Sequence, residues 1–454
     1  MKKPNILLIY TDQHRFDCLG INGHPQLKTP NLDRLAAEGV NFTQTYTPCP
    51  MCVPARCSMI SGQWPSQHGV VFNFDGETFK PLDPTLPTLG KTLQAAGYQT
   101  AHVGRWHVDP NHSPRDFGFD HFQGDWAYHA WREELGLPPL SKGLEQWSGI
   151  SDPIPSEKSR LAWSADNAIA TLKEAAQNEK PFFLRWHTVE PHLPCLPTEP
   201  YASMYNPADL NPWAGFGDTF ENKPEIQKQM LETWGVEAWT WEDWAPVVAR
   251  YLGVITQLDH EIGRILAEVD LENTLVIYSS DHGDMCGSHG MVDKHFVLYD
   301  DVVRVPMILR HPDLPAGTTR DDFISNAIDL PATLCAVAGA ETPETFVGKN
   351  ILEPTDREDI FSTYSGNQFG GYSQRMVRNR RWKLIWNLTA VNELYDLESD
   401  PGELTNRIDD PATAPELARL KGRMVSWMEE VDDPMLNLFT RWQLENRKTT
   451  DKES

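Results

Sequence analysis

No stretch of this 454-residue chain approaches the roughly 20 consecutive apolar residues that a membrane-spanning helix needs. A signal peptide is not expected either. The opening "MKKPNILLIYTDQH" has two lysines and a short apolar run, but Asp12 follows at once and no small-residue cleavage site precedes a mature region. Read instead as a first β-strand, this segment predicts a cytoplasmic protein with no membrane contact. Basic charge is in short supply: 40 Lys and Arg against 64 Asp and Glu leave a formal net charge of -24. That balance argues against nucleic acid as a partner, because phosphate backbones are held by basic surface. It leaves open an anionic substrate in a locally cationic pocket. The seven cysteines (18, 49, 52, 57, 195, 286 and 335) are an odd number in a long chain, which is no disulfide framework and fits a reducing compartment. Internal repeats and low-complexity segments are also absent.

What remains alternates between two textures. "NILLIY", "YQTAHVG", "PFFLRWHT", "NTLVIYSS" and "VPMILR" read as strands, several apolar enough to be buried on both faces. Between them lie amphipathic segments. "TPNLDRLAAEG" has Pro30 to open a helix and Gly39 to close it. "PVVARYLGVITQLDHEIGRILAEVD" puts Val248, Tyr251, Leu252, Ile255, Leu258, Ile262, Ile265 and Val269 on one helical face. The alternation predicts an α/β fold, a large mostly parallel sheet sandwiched by helices. Beyond about residue 350 the intervening helices stop. "QRMVRNRRWKLIWN" and "NELYDLESDPGE" read as antiparallel strands, and "APELARLKGRMVSWMEEV" as an amphipathic helix. The expected division is a catalytic domain over 1–350 and a smaller α+β subdomain over 351–454, ending in a helix and a polar, frayed tail. "DDPMLNLFTRWQLENR" could serve as an interface helix of a homo-oligomer or face solvent.

In open α/β sheets, ligands bind beyond the carboxyl ends of the strands. Asp12 and Gln13 follow the first strand, Arg105 and His107 the "TAHVG" strand, His192 the "FFLRWHT" strand, and Asp281 and His282 the "TLVIYSS" strand; Lys294 lies in the next loop. Asp12, Gln13, Asp281 and His282 offer oxygens and one imidazole, a donor set that suits calcium, magnesium or manganese. Arg56, Arg105, His107, His192 and Lys294 would complete a cationic ring for a tetrahedral oxyanion.

Cys49-Pro-Met-Cys52 admits several readings. A zinc site lacks its second pair of ligands, and a thioredoxin-like pair lacks its small-domain setting. A histidine-activated thiolate is a third reading. A fourth comes from resemblance. "CVPARCSMISG" matches the pattern Cys-x-Pro-Ser/Ala-Arg-x-x-x-x-Thr/Ser-Gly at Cys52, Pro54, Ala55, Arg56, Ser61 and Gly62. "PNILLIYTDQHR", "TPNLDRLAAEGVNF", "GRWHVD", "PHLP", "SSDHGD", "DKHFVLYDDVVRVPMI" and "NELYDLESDPGE" follow in the same family's order. The chain resembles the type I sulfatases of the alkaline phosphatase superfamily along nearly its whole length.

That resemblance implies oxidation of Cys52 to formylglycine by a maturation enzyme. In the family the hydrated aldehyde attacks sulfur, the alcohol leaves, and the second hydroxyl drives release of sulfate. Carried over by position, Asp12, Gln13, Asp281 and His282, with the modified Cys52, hold the metal, most often calcium in the family. Arg56 and His107 support the formylglycine, and His192 and Lys294 contact the sulfate. Three positions depart from the commonest pattern: Gln13 and His282 where many members have Asp and Asn, and Arg105 where they have lysine. The Asp-Gln and Asp-His forms also occur in choline sulfatases and in phosphonate monoester and phosphodiester hydrolases. The expected activity is hydrolysis of an organic, carbohydrate-type sulfate ester, either a small molecule or an oligosaccharide. The alternatives are those related hydrolases, an inactive ligand-binding member of the fold, or a plain thiol hydrolase. Trp126, Tyr128, Trp131, Trp234, Trp239, Trp241 and Trp244 could stack sugars, although such clusters more often pack cores.

Overall fold

In a computed structural model, which describes residues 3–74, 80–140, 146–366 and 371–446, the opening apolar segment forms β1 (Asn5–Asp12). In chain order β2 (Val40–Phe42), β3 (Thr45–Tyr46), β4 (Gln99–Gly104), β5 (His121–Gly124), β6 (Phe182–Pro191), β7 (Thr274–Ser280), β8 (Met307–Arg310), β9 (Thr318–Arg320) and β10 (Ile324–Ser325) follow. Eight of these strands form one sheet, ordered β5-β4-β6-β1-β7-β8-β2-β9, while β3 and β10 pair separately. From β5 to β7 every neighbour is parallel. The antiparallel β8 then makes one edge mixed. The expected mostly parallel sheet is therefore present, and β1 lies near its middle.

Successive side chains of a strand point to opposite faces, and β1 shows what each face holds. Leu7 and Ile9 pack in a core with the helices Pro30–Ala37, Arg160–Ala175 and Trp241–Leu266. Ile6, Leu8 and Tyr10 pack opposite, with Cys52–Ser61, Leu89–Ala95 and Asn326–Ala338. The long helix starts where Thr240 and Asp243 cap each other reciprocally. Val248, Tyr251, Leu252, Ile255, Leu258, Ile262 and Ile265 are buried on its face as predicted, but the helix ends at Leu266, so Val269 lies beyond it. Gly39 follows the first helix at a backbone crossing, where a Cβ would stand 2.2 Å from the Leu309 carbonyl oxygen.

A second sheet is antiparallel throughout: β11 (Ile360–Gly366), β12 (Tyr372–Arg378), β13 (Trp382–Asn387) and β14 (Glu393–Asp396). The helix Ala414–Glu430 covers it through Leu417, Leu420, Met424, Trp427 and Met428. Tyr364, Met376, Ile385 and Tyr395 of this sheet share one core with Phe296 and Tyr299 of the larger part. The terminal helix Leu438–Asn446 exposes Leu438, Phe439 and Trp442. The tail expected to fray lies outside the described residues from 447 onward. No helix among the described residues is long and apolar enough to cross a membrane.

The tryptophans mostly pack. Trp244 and Tyr128 are fully buried, and Trp147 stacks on Trp239 at 5.4 Å while also meeting Trp234 and Trp244. Trp126, by contrast, is 69% exposed.

Candidate active site at the carboxyl edge of the sheet

Four adjacent parallel strands end at one edge and deliver the polar residues there. The ladder between β1 and β6 shifts register between Tyr10 and Asp12, so a bulge re-aims the end of β1. Gln13 follows with φ 72°, and His107, beyond β4, has φ 43°. Such values are costly for residues with a Cβ and persist only where the surroundings enforce them.

Cys52 occupies the first position of the helix Cys52–Ser61, all of whose residues are buried and whose end is turned by Gly62 at φ 65°. Asn73 caps that helix by accepting from the Val53 amide at 3.1 Å. The Cys52 Sγ lies 3.2 Å from His282 Nε2 and 3.7 Å from Asp12 Oδ1. Ligand atoms of Asp12, Cys52, Asp281 and His282 all fall within 4.8 Å of one another, every residue buried. Asp281 Oδ2 stands 2.9 Å from Arg56 Nη2 but off the hydrogen-bond direction, which leaves this buried oxygen without a bonded partner. An oxygen-dominated set with one imidazole and an unspent carboxylate oxygen fits a hard divalent cation.

One turn after Cys52, Arg56 Nη2 donates to Asp12 Oδ2, and Arg105 Nη1 reaches the same oxygen at 2.6 Å. Burial alone would raise the Asp12 carboxyl; Arg56 and then Arg105 outweigh it and hold Asp12 well below the usual carboxylate range. His107 lies 3.4 Å from Arg105 Nη2 and edge-on to Phe74 at 4.6 Å. Burial, and then Arg105, lowers His107 strongly, so it is neutral at pH 7.

Lys294 closes the ring. Its Nζ donates to Gln13 Oε1 at 2.8 Å and to His192 Nε2 at 3.0 Å, and pairs with Asp293 Oδ1 at 3.0 Å. His192 Nδ1 faces the Leu193 carbonyl at 2.5 Å, so that nitrogen carries the proton and Nε2 accepts. Burial works against the Lys294 ammonium, but Asp293 and other nearby negative groups raise its pKa above the ordinary lysine value. His192 is lowered by burial and then by Lys294. The pair therefore keeps its proton on Nζ.

All ten residues singled out in the sequence meet in this one network. Sequence reasoning passed over two partners inside segments it had marked, "SSDHGD" and "GMVDKHF". Asp284 Oδ2 accepts from Gln13 Nε2 at 2.8 Å and so orients the amide with its oxygen toward Lys294. Asp293, with φ 67°, pairs Lys294 with His295, whose Nε2 is 3.2 Å from Asp293 Oδ2. A carboxylate two or three residues past a ligand gives no signal of its own in sequence. The seven cysteines are all buried and free. Cys49 is a thiol that burial pushes up to about 12, with no sign of chemistry of its own.

A buried cysteine beside a hard-cation donor set, ringed by cations at the carboxyl edge of an α/β sheet, is an arrangement fitted to hydrolysis of an oxyanion ester, and the structural neighbours place the fold in the alkaline phosphatase superfamily. The sulfatase family profile matches residues 4–340, and the profile described as "N-sulphoglucosamine sulphohydrolase, C-terminal" matches residues 287–430. The chain belongs to the sulfatase family and is a sulfuric ester hydrolase. It is 32% identical to an arylsulfatase of Clostridium perfringens, over 90% of each chain. It is 27% identical to an N-acetylglucosamine-6-O-sulfatase of Bacteroides thetaiotaomicron, over 89% of this chain and 82% of that one. In structure it is similar to the phosphonate monoester hydrolase of Agrobacterium radiobacter, with a TM-score of 0.81, 26% identity, and 94% and 96% of the two chains covered.

Proposed function

We propose that this protein hydrolyses a carbohydrate-type sulfate ester at Cys52, matured to formylglycine, with a divalent metal, calcium for preference, held by Asp12, Gln13, Asp281, His282 and the modified Cys52. One observation carries the reading: Cys52 opens its helix within bonding reach of the metal-type donors, with Arg56, Arg105, His107, His192 and Lys294 around it. The bound cation would withdraw electron density from the ester oxygens and favour the ionised form of the oxygen nucleophile. The chain's residues do the rest. Arg56 and Arg105 neutralise Asp12 and offer N–H groups to oxygens that gain negative charge. Lys294 holds a proton at Nζ for the departing alcohol oxygen, while neutral His192 fixes its direction. Asp284, by fixing the Gln13 amide whose oxygen accepts from Lys294, and Asp293, by pairing with Lys294 directly, orient the ammonium. We assign this site to a catalytic domain over 1–350, with residues 351–454 as a subdomain packed against its rim.

Mass spectrometry of the Cys52 peptide from homologously produced protein, alongside turnover of matched aryl sulfate, phosphonate monoester and phosphodiester substrates, tests the reading. An aldehyde at Cys52 with sulfate as the preferred substrate is expected; an unmodified thiol in active enzyme refutes it. Gln13 and His282 favour a second reading, phosphonate monoester hydrolysis, since fewer carboxylates leave the metal site less negative. Sulfate as the poorest substrate would select that one.

A further inference from the structure

The terminal helix Leu438–Asn446 has two apolar sides, and only one of them is covered. Asn437 starts it: its Oδ1 accepts from the Phe439 and Thr440 amides at 2.9 and 3.2 Å. Leu444 anchors the inner side, buried in one core with Leu420, Trp427 and Met428 of the helix Ala414–Glu430. At about 100° per residue, Leu438, Phe439 and Trp442 point the other way, and they are 77%, 81% and 64% exposed. A surface helix ordinarily carries polar residues on that side. The other large apolar side chains exposed among the described residues lie singly between Ile21 and Val391, as is normal for a protein surface. These three form a stripe.

The chain has no apolar segment left over to cover the stripe. The residues outside the description, at 1–2, 75–79, 141–145, 367–370 and 447–454, hold at most one large apolar side chain per segment (Met1, Phe79, Leu144 and Phe369), and the last segment holds none. A lipid surface is the wrong chemistry. Helices that lie on membranes carry Lys and Arg on the polar side, whereas Arg441 is already paired with Glu429 and Glu445, and Glu430 and Asp432 stand exposed just before the helix. A second copy fits in both area and charge. With most of the ~150–250 Å² of each aromatic ring open, the stripe offers on the order of 400 Å² of apolar surface. A standard interface buries about 800 Å² per partner, a little over half of it apolar, so the stripe matches the apolar part of one such interface. The charge around it runs from one sign to the other: Glu429, Glu430 and Asp432 precede the helix, and Arg447 and Lys448 follow it.

We infer that this stripe is a self-association surface: it pairs with the same stripe of a second copy of this chain across a two-fold axis, with the two terminal helices antiparallel. Trp442 of each copy then meets Leu438 and Phe439 of the other, an isologous contact that closes at two subunits. The same axis brings the basic end of each helix, Arg447 and Lys448, to the acidic approach of the other, Glu430 and Asp432. Size exclusion with light scattering at tens of micromolar should give twice the chain mass for the wild type. Phe439→Asp should weaken the pairing by at least ~100-fold, because it puts a charge into the apolar centre of the contact. Its circular dichroism should stay that of the wild type, since the side chain is exposed in the single chain. Arg447→Glu with Lys448→Glu should weaken the dimer by a smaller factor, and adding Glu430→Lys with Asp432→Lys should restore it. A monomeric wild type, or a dimer that Phe439→Asp leaves intact, would overturn the proposal. So would a wild type that stays monomeric and co-sediments with phosphatidylglycerol vesicles, which would assign the stripe to a membrane. Charge reversal without effect would overturn the antiparallel arrangement.

Discussion

The two faces of β6 are built from adjacent residues and could hardly differ more. On one, Trp186 is buried among aliphatic side chains and its indole N–H is satisfied by Ser164 Oγ at 2.9 Å. On the other, Arg185 and His187 leave polar atoms unpaired next to the helix that carries Cys52. A closed apolar face holds the strand in place. The opposite face carries buried charge beside the helix that opens at Cys52, and burying charge without an ion pair costs stability. The same contrast runs along the cysteines: burial makes Cys49 and Cys57 inert, while Cys52 sits where cations and metal-type donors converge.

The largest effect that tests this contrast is on the polar side. Cys52→Ala should lower kcat/KM on an aryl sulfate by at least ~10³-fold, since it removes the nucleophile, while far-ultraviolet circular dichroism stays that of the wild type. Residual activity within tenfold of wild type would place the nucleophile elsewhere. Lys294→Ala should follow with a loss of ~10²–10⁴-fold in kcat, the range expected of a positioned general acid. Partial recovery on a substrate with a good leaving group such as nitrophenol would mark the lysine as the proton donor, and an equal loss on good and poor leaving groups would not.

On the apolar side, Trp186→Ala should cost about 3–5 kcal/mol in urea unfolding, as large-to-small changes in a closed core do. Arg185→Met should be neutral or stabilising, because an apolar group replaces a buried charge that has no ion-pair partner. If Arg185→Met proved as damaging as Trp186→Ala, the two faces would be alike. A smaller effect comes from Asp284, whose carboxyl is pushed up to about 6 by burial and then by Asp293. A raised carboxyl stabilises the fold fully below its unfolded value near 4, and that contribution is lost as pH rises through 6. The Tm of metal-free wild type should fall over that window, and Asp284→Asn should flatten the fall by on the order of 2 kcal/mol. Trp126→Ala should change unfolding free energy by less than ~0.5 kcal/mol, as expected for an exposed residue without a special role. Its sugar-stacking role, if it has one, would appear only as a raised KM on a sulfated sugar.

Much of this was legible beforehand for local reasons. Apolar runs such as "NILLIY" report burial on both faces, and the 3.6-residue spacing in "YLGVITQLDHEI" reports a helix face; both signals depend only on neighbours in sequence. The site residues were legible because a strand's carboxyl end places whatever follows it at the same edge. Asp284 and Asp293 were not, since their importance lies in which side chain they touch across the fold. Arg185 was less visible still. In "FFLRWHT" it looks like an arginine at the edge of a strand, and nothing nearby in sequence says that β1 and β4 bury it on either side.

Local pattern and spacing along the chain already carry the family, the order of the strands, and the place of Cys52 at the head of its eleven-residue motif. The packing of distant segments settles which oxygen of Asp12 the two arginines share, where the Lys294 proton is held, and that Arg185 has no ion-pair partner among the described residues. Those outcomes depend on distances between atoms of residues up to some 280 positions apart, as between Gln13 and Lys294. They are settled by desolvation and Coulomb energy, which act through space and leave no imprint on spacing along the chain.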